Sequence, residues 1–186
     1  MPHATQMSAA DTGLLVVDVQ EKLISLVPGY QRIVWNIGRL IDGAKLFDLP
    51  VLATEQYPKG LGGTTPELAA RLDRPVAKTA FSCVACTEIA AELERLPAAS
   101  WLVAGIETHV CVQQTVLDLL AAGFRVFVAA DATGSRYEID QRVALDRMHA
   151  AGATLTTTES ALFEWCQDAA APQFKQLSAL IRQQHP

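Results

Sequence analysis

Trp101-Leu102-Val103-Ala104-Gly105-Ile106-Glu107-Thr108-His109-Val110-Cys111 runs from an unbroken apolar stretch into a polar turn. A short, continuous apolar run has the character of a strand covered on both faces, as in the interior of a parallel sheet. Residues 110–122 then read as a helix, stopped by Gly123. The same unit recurs outward in both directions. Toward the N-terminus, Leu14-Leu15-Val16-Val17 is a first strand ending near Asp18. A helix over residues 30–47 follows, with Ile33, Ile37, Leu40, Ile41 and Ala44 at helical spacing. Pro50 breaks the chain before a second strand at 51–54, and Pro58, Gly60, Gly62, Gly63 and Pro66 mark a loop. A third strand at 75–77 leads into Lys78, and a helix at 87–96 is closed by Pro97. Toward the C-terminus come a strand at 126–129, a helix at 140–151, a strand at 153–156, and helices near 159–167 and 172–183. Alternation of this kind predicts an α/β fold, a parallel sheet with helices on both faces. No repeat or linker interrupts it, so residues 1–186 read as a single domain.

The 186 residues are 50% hydrophobic and 19% charged, a globular balance that excludes a mainly disordered chain. A formal net charge of −5 argues against nucleic acid or anionic lipid as the main partner. The four cysteines, Cys83, Cys86, Cys111 and Cys166, are too scattered to suggest a disulfide scaffold. No apolar leader is visible among residues 1–11, and no apolar stretch is long enough to span a bilayer. The expectation is a soluble, cytoplasmic protein acting on a small molecule, without membrane or nucleic-acid partners.

In an open parallel sheet, ligands gather beyond the carboxyl ends of the strands, where strand order reverses. Asp18, Lys78 and Cys111 follow the first, third and fourth strands. With strands ordered 3-2-1-4-5-6, Asp18 and Cys111 face each other at the switch. The thiolate is the attacking form of cysteine. A helix N-terminus and the Lys78 cation would stabilise that form at Cys111. Asp18 would accept the thiol proton, Lys78 would hold Asp18 ionised, and backbone N–H groups near Cys111 would form an oxyanion hole. Taken singly, each has a plainer reading: a turn aspartate, a solvated lysine, a small core hydrophobe.

At these residues the chain resembles the isochorismatase-like cysteine hydrolases. The matching segments are Leu15-Val16-Val17-Asp18-Val19-Gln20, Ala77-Lys78-Thr79-Ala80-Phe81-Ser82, and Gly105-Ile106-Glu107-Thr108-His109-Val110-Cys111-Val112. Asp118 to Val126 and Asp131-Ala132 continue the likeness, which spans about residues 13–163. Thr54-Glu55-Gln56-Tyr57-Pro58-Lys59-Gly60-Leu61-Gly62 and Pro172-Gln173-Phe174-Lys175 are similar to the isochorismatase-domain-containing subgroup. The resemblance implies a three-layer Rossmann-like fold with a six-stranded sheet, an Asp18–Lys78–Cys111 triad and frequent homo-oligomers. It implies hydrolysis of an amide-like C–N bond, as in nicotinamidases, N-carbamoyl amidohydrolases and ureido hydrolases. It also implies a cis peptide at Ile106–Glu107, aiming the N–H groups of Glu107 and Cys111 at one oxyanion. Nicotinamidase-type members hold a metal with an Asp and two His after strand two. That loop here has no His, and His3, His109, His149 and His185 are not paired at ligand spacing, so neither a metal nor another cofactor is expected. Isochorismatase proper acts on an enol ether without a nucleophilic cysteine, so Cys111 points to the thiol branch.

Gln20, Tyr57, Phe81 and the side chain of Glu107 are candidate substrate contacts, with core or loop packing as the plainer alternative. Cys83-Val84-Ala85-Cys86 reads as a redox pair, half a zinc site, or two small residues in the first turn of a helix. His109 lies close to Cys111 in sequence but is expected to point away from it. Trp35 and Trp165 are candidates for subunit contacts or for core. Two rival functions stay open: a non-catalytic binding or scaffold protein of the same fold, and a thiol redox protein working through Cys83 and Cys86.

Overall fold

A computed structural model of the protein describes residue 3 and residues 5–184. Among them, six strands form one all-parallel sheet in the order β3-β2-β1-β4-β5-β6. The strands are β1 (Thr12–Val17), β2 (Val51–Gln56), β3 (Val76–Lys78), β4 (Ser100–Ile106), β5 (Arg125–Gly134) and β6 (Thr154–Thr156). The helices are α1 (Glu21–Ile24), α2 (Tyr30–Leu46), α3 (Pro58–Leu61), α4 (Pro66–Ala69), α5 (Thr87–Arg95), α6 (Gln113–Ala121), α7 (Glu138–Ala150), α8 (Thr158–Cys166) and α9 (Phe174–Ile181). A π-helical turn, Thr108–Val112, joins β4 to α6.

The sheet divides the core in two, as the two-residue period of a strand dictates. Leu14, Val16, Leu102, Ala104, Phe127 and Ala129 face α2, α8 and α9. Leu15, Val17, Trp101, Val103, Val126 and Val128 face α5, α6 and α7. Every residue of β1 and β4 is buried, which is why both appear in the sequence as unbroken apolar runs. Both edge strands, β3 and β6, are only three residues long.

Several boundaries differ from the sequence reading. The predicted helix over residues 110–122 begins as the π turn, so Cys111 lies inside that turn rather than at the head of an α-helix. β5 extends to Gly134 because its second half pairs with β4 after a register shift between Val103 and Gly105. α1, α3 and α4, four residues each, are too short to show helical periodicity. α5 begins at Thr87, where the sequence reading started it, and residues 79–86 form turns, so the alternative that set Cys83 and Cys86 in the first turn of a helix does not hold. Trp165 is buried in the core at 3% exposure, and only Trp35 remains half-exposed.

Register brings the strand ends together. Val17 pairs with Thr54 on one side and with Gly105 on the other, and Gln56 pairs with Lys78. Gly105 has φ 124°, and a Cβ there would lie 2.1 Å from the Val17 carbonyl oxygen. Glycine is thus required where β4 passes β1 immediately before the site. Gly105→Ala combines a disfavoured φ with an overlap against backbone and is expected to cost about 3 kcal/mol in all. The check is urea unfolding, and an unchanged midpoint would show that the strands can separate there without penalty.

Candidate active site

Asp18 and Lys78 meet beyond the carboxyl ends of β1 and β3, with β2 between them. Both side chains are completely shielded from water, and Lys78 Nζ lies 2.7 Å from Asp18 Oδ2. The Lys78 ammonium also donates to Gln56 Oε1 at 2.7 Å and to the carbonyls of Phe81 at 3.0 Å and Ala80 at 3.2 Å. A cation buried this deeply is tolerated only when its donors are satisfied. The second oxygen of Asp18 accepts from the Thr54 hydroxyl at 2.8 Å. Asp18 itself sits at φ 51°, a left-handed conformation that turns its side chain out of the line of β1.

Cys111 completes the group. Its thiol is hydrogen-bonded to the Asp18 side chain, and the residue is 5% exposed. The Cys111 thiol is pushed well above its ordinary value, first by burial and then by the negative charge of Asp18, with Lys78 partly offsetting both. This reverses the sequence expectation of a stabilised thiolate. The resting site holds a thiol whose proton is directed at a carboxylate. The peptide bond between Ile106 and Glu107, at the entry to the π turn, is cis.

A second thiol lies beneath the first. Thr54 Oγ1 is 3.5 Å from Cys83 Sγ, and the Cys83 N–H donates to Thr115 Oγ1 at 2.9 Å. Thr115 in turn donates to the Cys111 carbonyl at 2.6 Å. Because the Thr54 proton goes to Asp18, Cys83 is left as the donor to Thr54, giving a chain from thiol to hydroxyl to carboxylate. Burial and Asp18 push the Cys83 thiol up to about 11. Thr54, Gln56 and Thr115 escaped the sequence reading as site residues, and Cys83 entered it only as half of the Cys83–Cys86 pair. The signal was the polar tail Thr54-Glu55-Gln56 on an otherwise apolar β2.

The other candidates separate into groups. Gln20 is fully buried, and its amide is used within the protein: Nε2 donates to the carbonyls of Gln56 and Gly62, and Oε1 accepts from the Gln56 N–H. It braces the site rather than facing a substrate. Tyr57 is exposed and helps to line a cavity of about 420 Å³ together with Lys78, Ala80 and Cys86. Phe81 is exposed, and only its carbonyl reaches the site. The Glu107 carboxylate is held by Arg136 at 2.9 Å, a partner that the sequence reading did not anticipate. His109 turns to Ser135 at 3.0 Å and toward Asp140 at 3.8 Å, so it is not the base for Cys111. Among the described residues, no group of three His, Cys, Asp or Glu side chains is placed to hold a metal. His185 lies outside the described residues.

The profile described as "Isochorismatase domain" matches residues 12–160. The chain belongs to the isochorismatase family. Isochorismatase domain-containing protein 2A of Mus musculus is 44% identical over 174 residues, covering 93% of this chain and 84% of its own. Among solved structures, the MAR1 ribonuclease of Caenorhabditis elegans is 37% identical with a TM-score of 0.90, covering 97% of this chain and 94% of that one. The YcaC gene product of Escherichia coli, described as an octameric hydrolase of unknown specificity, is 31% identical with a TM-score of 0.89, covering 97% and 91%. The isochorismatase-like fold and hydrolase family expected from the motifs are thus established. Among the described residues, no helix is long and apolar enough to cross a membrane.

Two outcomes follow from the isochorismatase-domain geometry. Lys78→Met strands the Asp18 carboxylate in the interior and is expected to lower stability by about 3–5 kcal/mol. Adding Asp18→Asn should restore much of it in a double-mutant cycle. The raised Cys83 thiol stabilises the fold fully below the unfolded value of about 8.5 and loses that contribution as pH rises toward 11. Denaturation against pH should therefore be level below about 8.5 and fall above it, and Cys83→Ala should make that fall shallower, with Cys111, raised for the same reasons, supplying the rest.

Proposed function

We propose that the protein hydrolyses a C–N bond of a small amide-like molecule, with Cys111 as nucleophile and Asp18 and Lys78 as its partners. The observation that carries this reading is the buried thiol hydrogen-bonded to a carboxylate that is itself ion-paired to an ammonium. Asp18 takes the thiol proton as sulfur attacks the carbonyl carbon, so the thiolate exists only when an electrophile is in place. Proton transfer within the triad leaves its net charge unchanged, and Lys78 stays bonded to Asp18 throughout. The N–H groups of Glu107 and Cys111 hold the oxyanion. Asp18 then gives the proton to the departing nitrogen, which leaves as ammonia or an amine, and a thioester remains. Asp18 next deprotonates water, which attacks the thioester, releases the carboxylic acid and returns the thiol. No metal or other cofactor enters this scheme.

Tyr57 and the cavity beside Lys78 provide the substrate approach, with the side chains of Glu107 and Phe81 as further candidate contacts. The octameric state described for the YcaC product supports a homo-oligomer here. Four free thiols suit a cytoplasmic setting. The ribonuclease description of the Caenorhabditis elegans relative raises RNA as a substrate. The net charge of −5 opposes it, since binding of nucleic acid rests on phosphate neutralisation. A Cys83–Cys86 redox function is disfavoured by the burial of Cys83 and the charge of Asp18, which push its thiol up.

The deciding experiment is ammonia release across a panel of primary carboxamides and ureido compounds, alongside an RNA-cleavage assay. Cys111→Ala should lower turnover by at least about a thousandfold, and mass spectrometry should find an acyl adduct on Cys111. Full turnover in Cys111→Ala, or cleavage of RNA that depends on Cys111, would sink the proposal.

A further inference from the structure

Helix α7 is apolar on two sides. Ala144 and Met148 turn inward and are buried, with Leu145 packed beside Met148 in the core. Ile139 and Val143, one turn apart, stand on the opposite side at 52% and 46% exposure. Tyr137, which precedes the helix, is exposed as well. Three of the seven exposed large apolar side chains among the described residues thus fall within residues 137–143. A clustered apolar face of this kind marks a contact surface, whereas scattered single residues do not. At about 3.6 residues per turn, Ile139, Val143, Asp146 and Ala150 form one outward stripe. Arg142 lies on one flank of it, and Asp140 and Arg147 lie on the other.

The charges along this stripe are complementary to their own copies. Arg142, Asp146 and Arg147 form no ion pair among the described residues. Asp140 faces His109 at 3.8 Å. Two copies of α7 laid antiparallel about a twofold axis near residue 144 bring equal flanks together. Arg142 of one copy then lies level with Asp146 of the second copy. Asp140 lies level with Arg147 of the second copy on the other flank. Each match is displaced by no more than about one residue, or about 1.5 Å. The twofold repeats both, so opposite charges meet on each side of the contact. Along the middle, Val143 meets its counterpart and Ile139 meets Ala150. A parallel arrangement would set every charge against its like. Such rim pairs fix orientation and exclude wrong partners, while the apolar stripe supplies the contact itself.

We propose that the outer face of α7 is a twofold interface between two copies of this chain, with the helices antiparallel about residue 144. The inference rests on the homo-oligomer proposed above and assigns it a face. α7 also packs on the π turn that carries Cys111, and Asp140 faces His109 of that turn, so the interface borders the active site.

The test is sedimentation velocity of the full chain over a range of concentrations. The wild-type chain is expected to associate. Arg142→Asp and Asp146→Arg, each of which sets like charges together at two places in the pair, should each weaken association by about tenfold or more. Val143→Asp should weaken it at least as much. Combining Arg142→Asp with Asp146→Arg restores opposite charges across the twofold and should return association to within a few-fold of wild type. All three side chains are exposed, so the variants should keep the wild-type circular dichroism and melting temperature. A wild-type chain that stays monomeric throughout would overturn both this interface and the oligomer. Association unchanged by Val143→Asp and by the single reversals would overturn the α7 face and leave the oligomer standing. A double reversal that associates no better than the single ones would overturn the antiparallel pairing.

Discussion

A lysine ammonium and an aspartate carboxylate lie 2.7 Å apart with no exposure to water, and much of the carboxyl end of the sheet exists to keep them satisfied. Removing two charges from solvent is unfavourable by several kcal/mol per ion unless hydrogen bonds replace the lost hydration. Here the replacements come from three layers of chain. Gln56 and two carbonyls of the 79–81 turn surround Lys78, and Thr54 covers the free oxygen of Asp18. Gln20 and Thr79 then fix Gln56. The loop that carries Gly62 is held by the same amide of Gln20, so the wall of the site and the ion pair are one mechanical unit.

The electrostatics of that unit set the state of the nucleophile. A helix N-terminus and a nearby cation, considered alone, lower a thiol's proton affinity. Burial and a directly bonded carboxylate raise it, and at Cys111 they prevail. The same carboxylate that holds the thiol proton in place is the group positioned to remove it. Reactivity is thereby tied to the arrival of a substrate that stabilises negative charge, rather than being displayed to solvent at all times.

The legible parts of the sequence were those where burial is uniform. β1 and β4 are shielded along their whole length, and their apolar runs gave the switch point and hence Asp18 and Cys111. α2, with its apolar stripe, was legible for the same reason. What stayed hidden depends on pairing across the sheet. Thr54 and Gln56 matter because of register with Val17 and Lys78, and nothing local marks that register. The role of Cys83 stayed open between three readings, because the turn that holds it is stabilised by Thr115, thirty-two positions away. The π turn around Cys111 and the one-turn helices lie below the length at which periodicity speaks. The two Trp residues looked alike in sequence, yet α8 carries Trp165 into the core while Trp35 is left to hold a guanidinium.

The two outermost strands, three residues apiece, have a further effect. A sheet ends in a row of unpaired amides, and a long flat margin is a template for any other extended chain. With β3 and β6 this short, each margin offers only a few such groups before the chain bends away. The long, strongly apolar strands that would polymerise most readily are all interior. The protein thus retains a core capable of cross-β stacking while denying it a starting ledge.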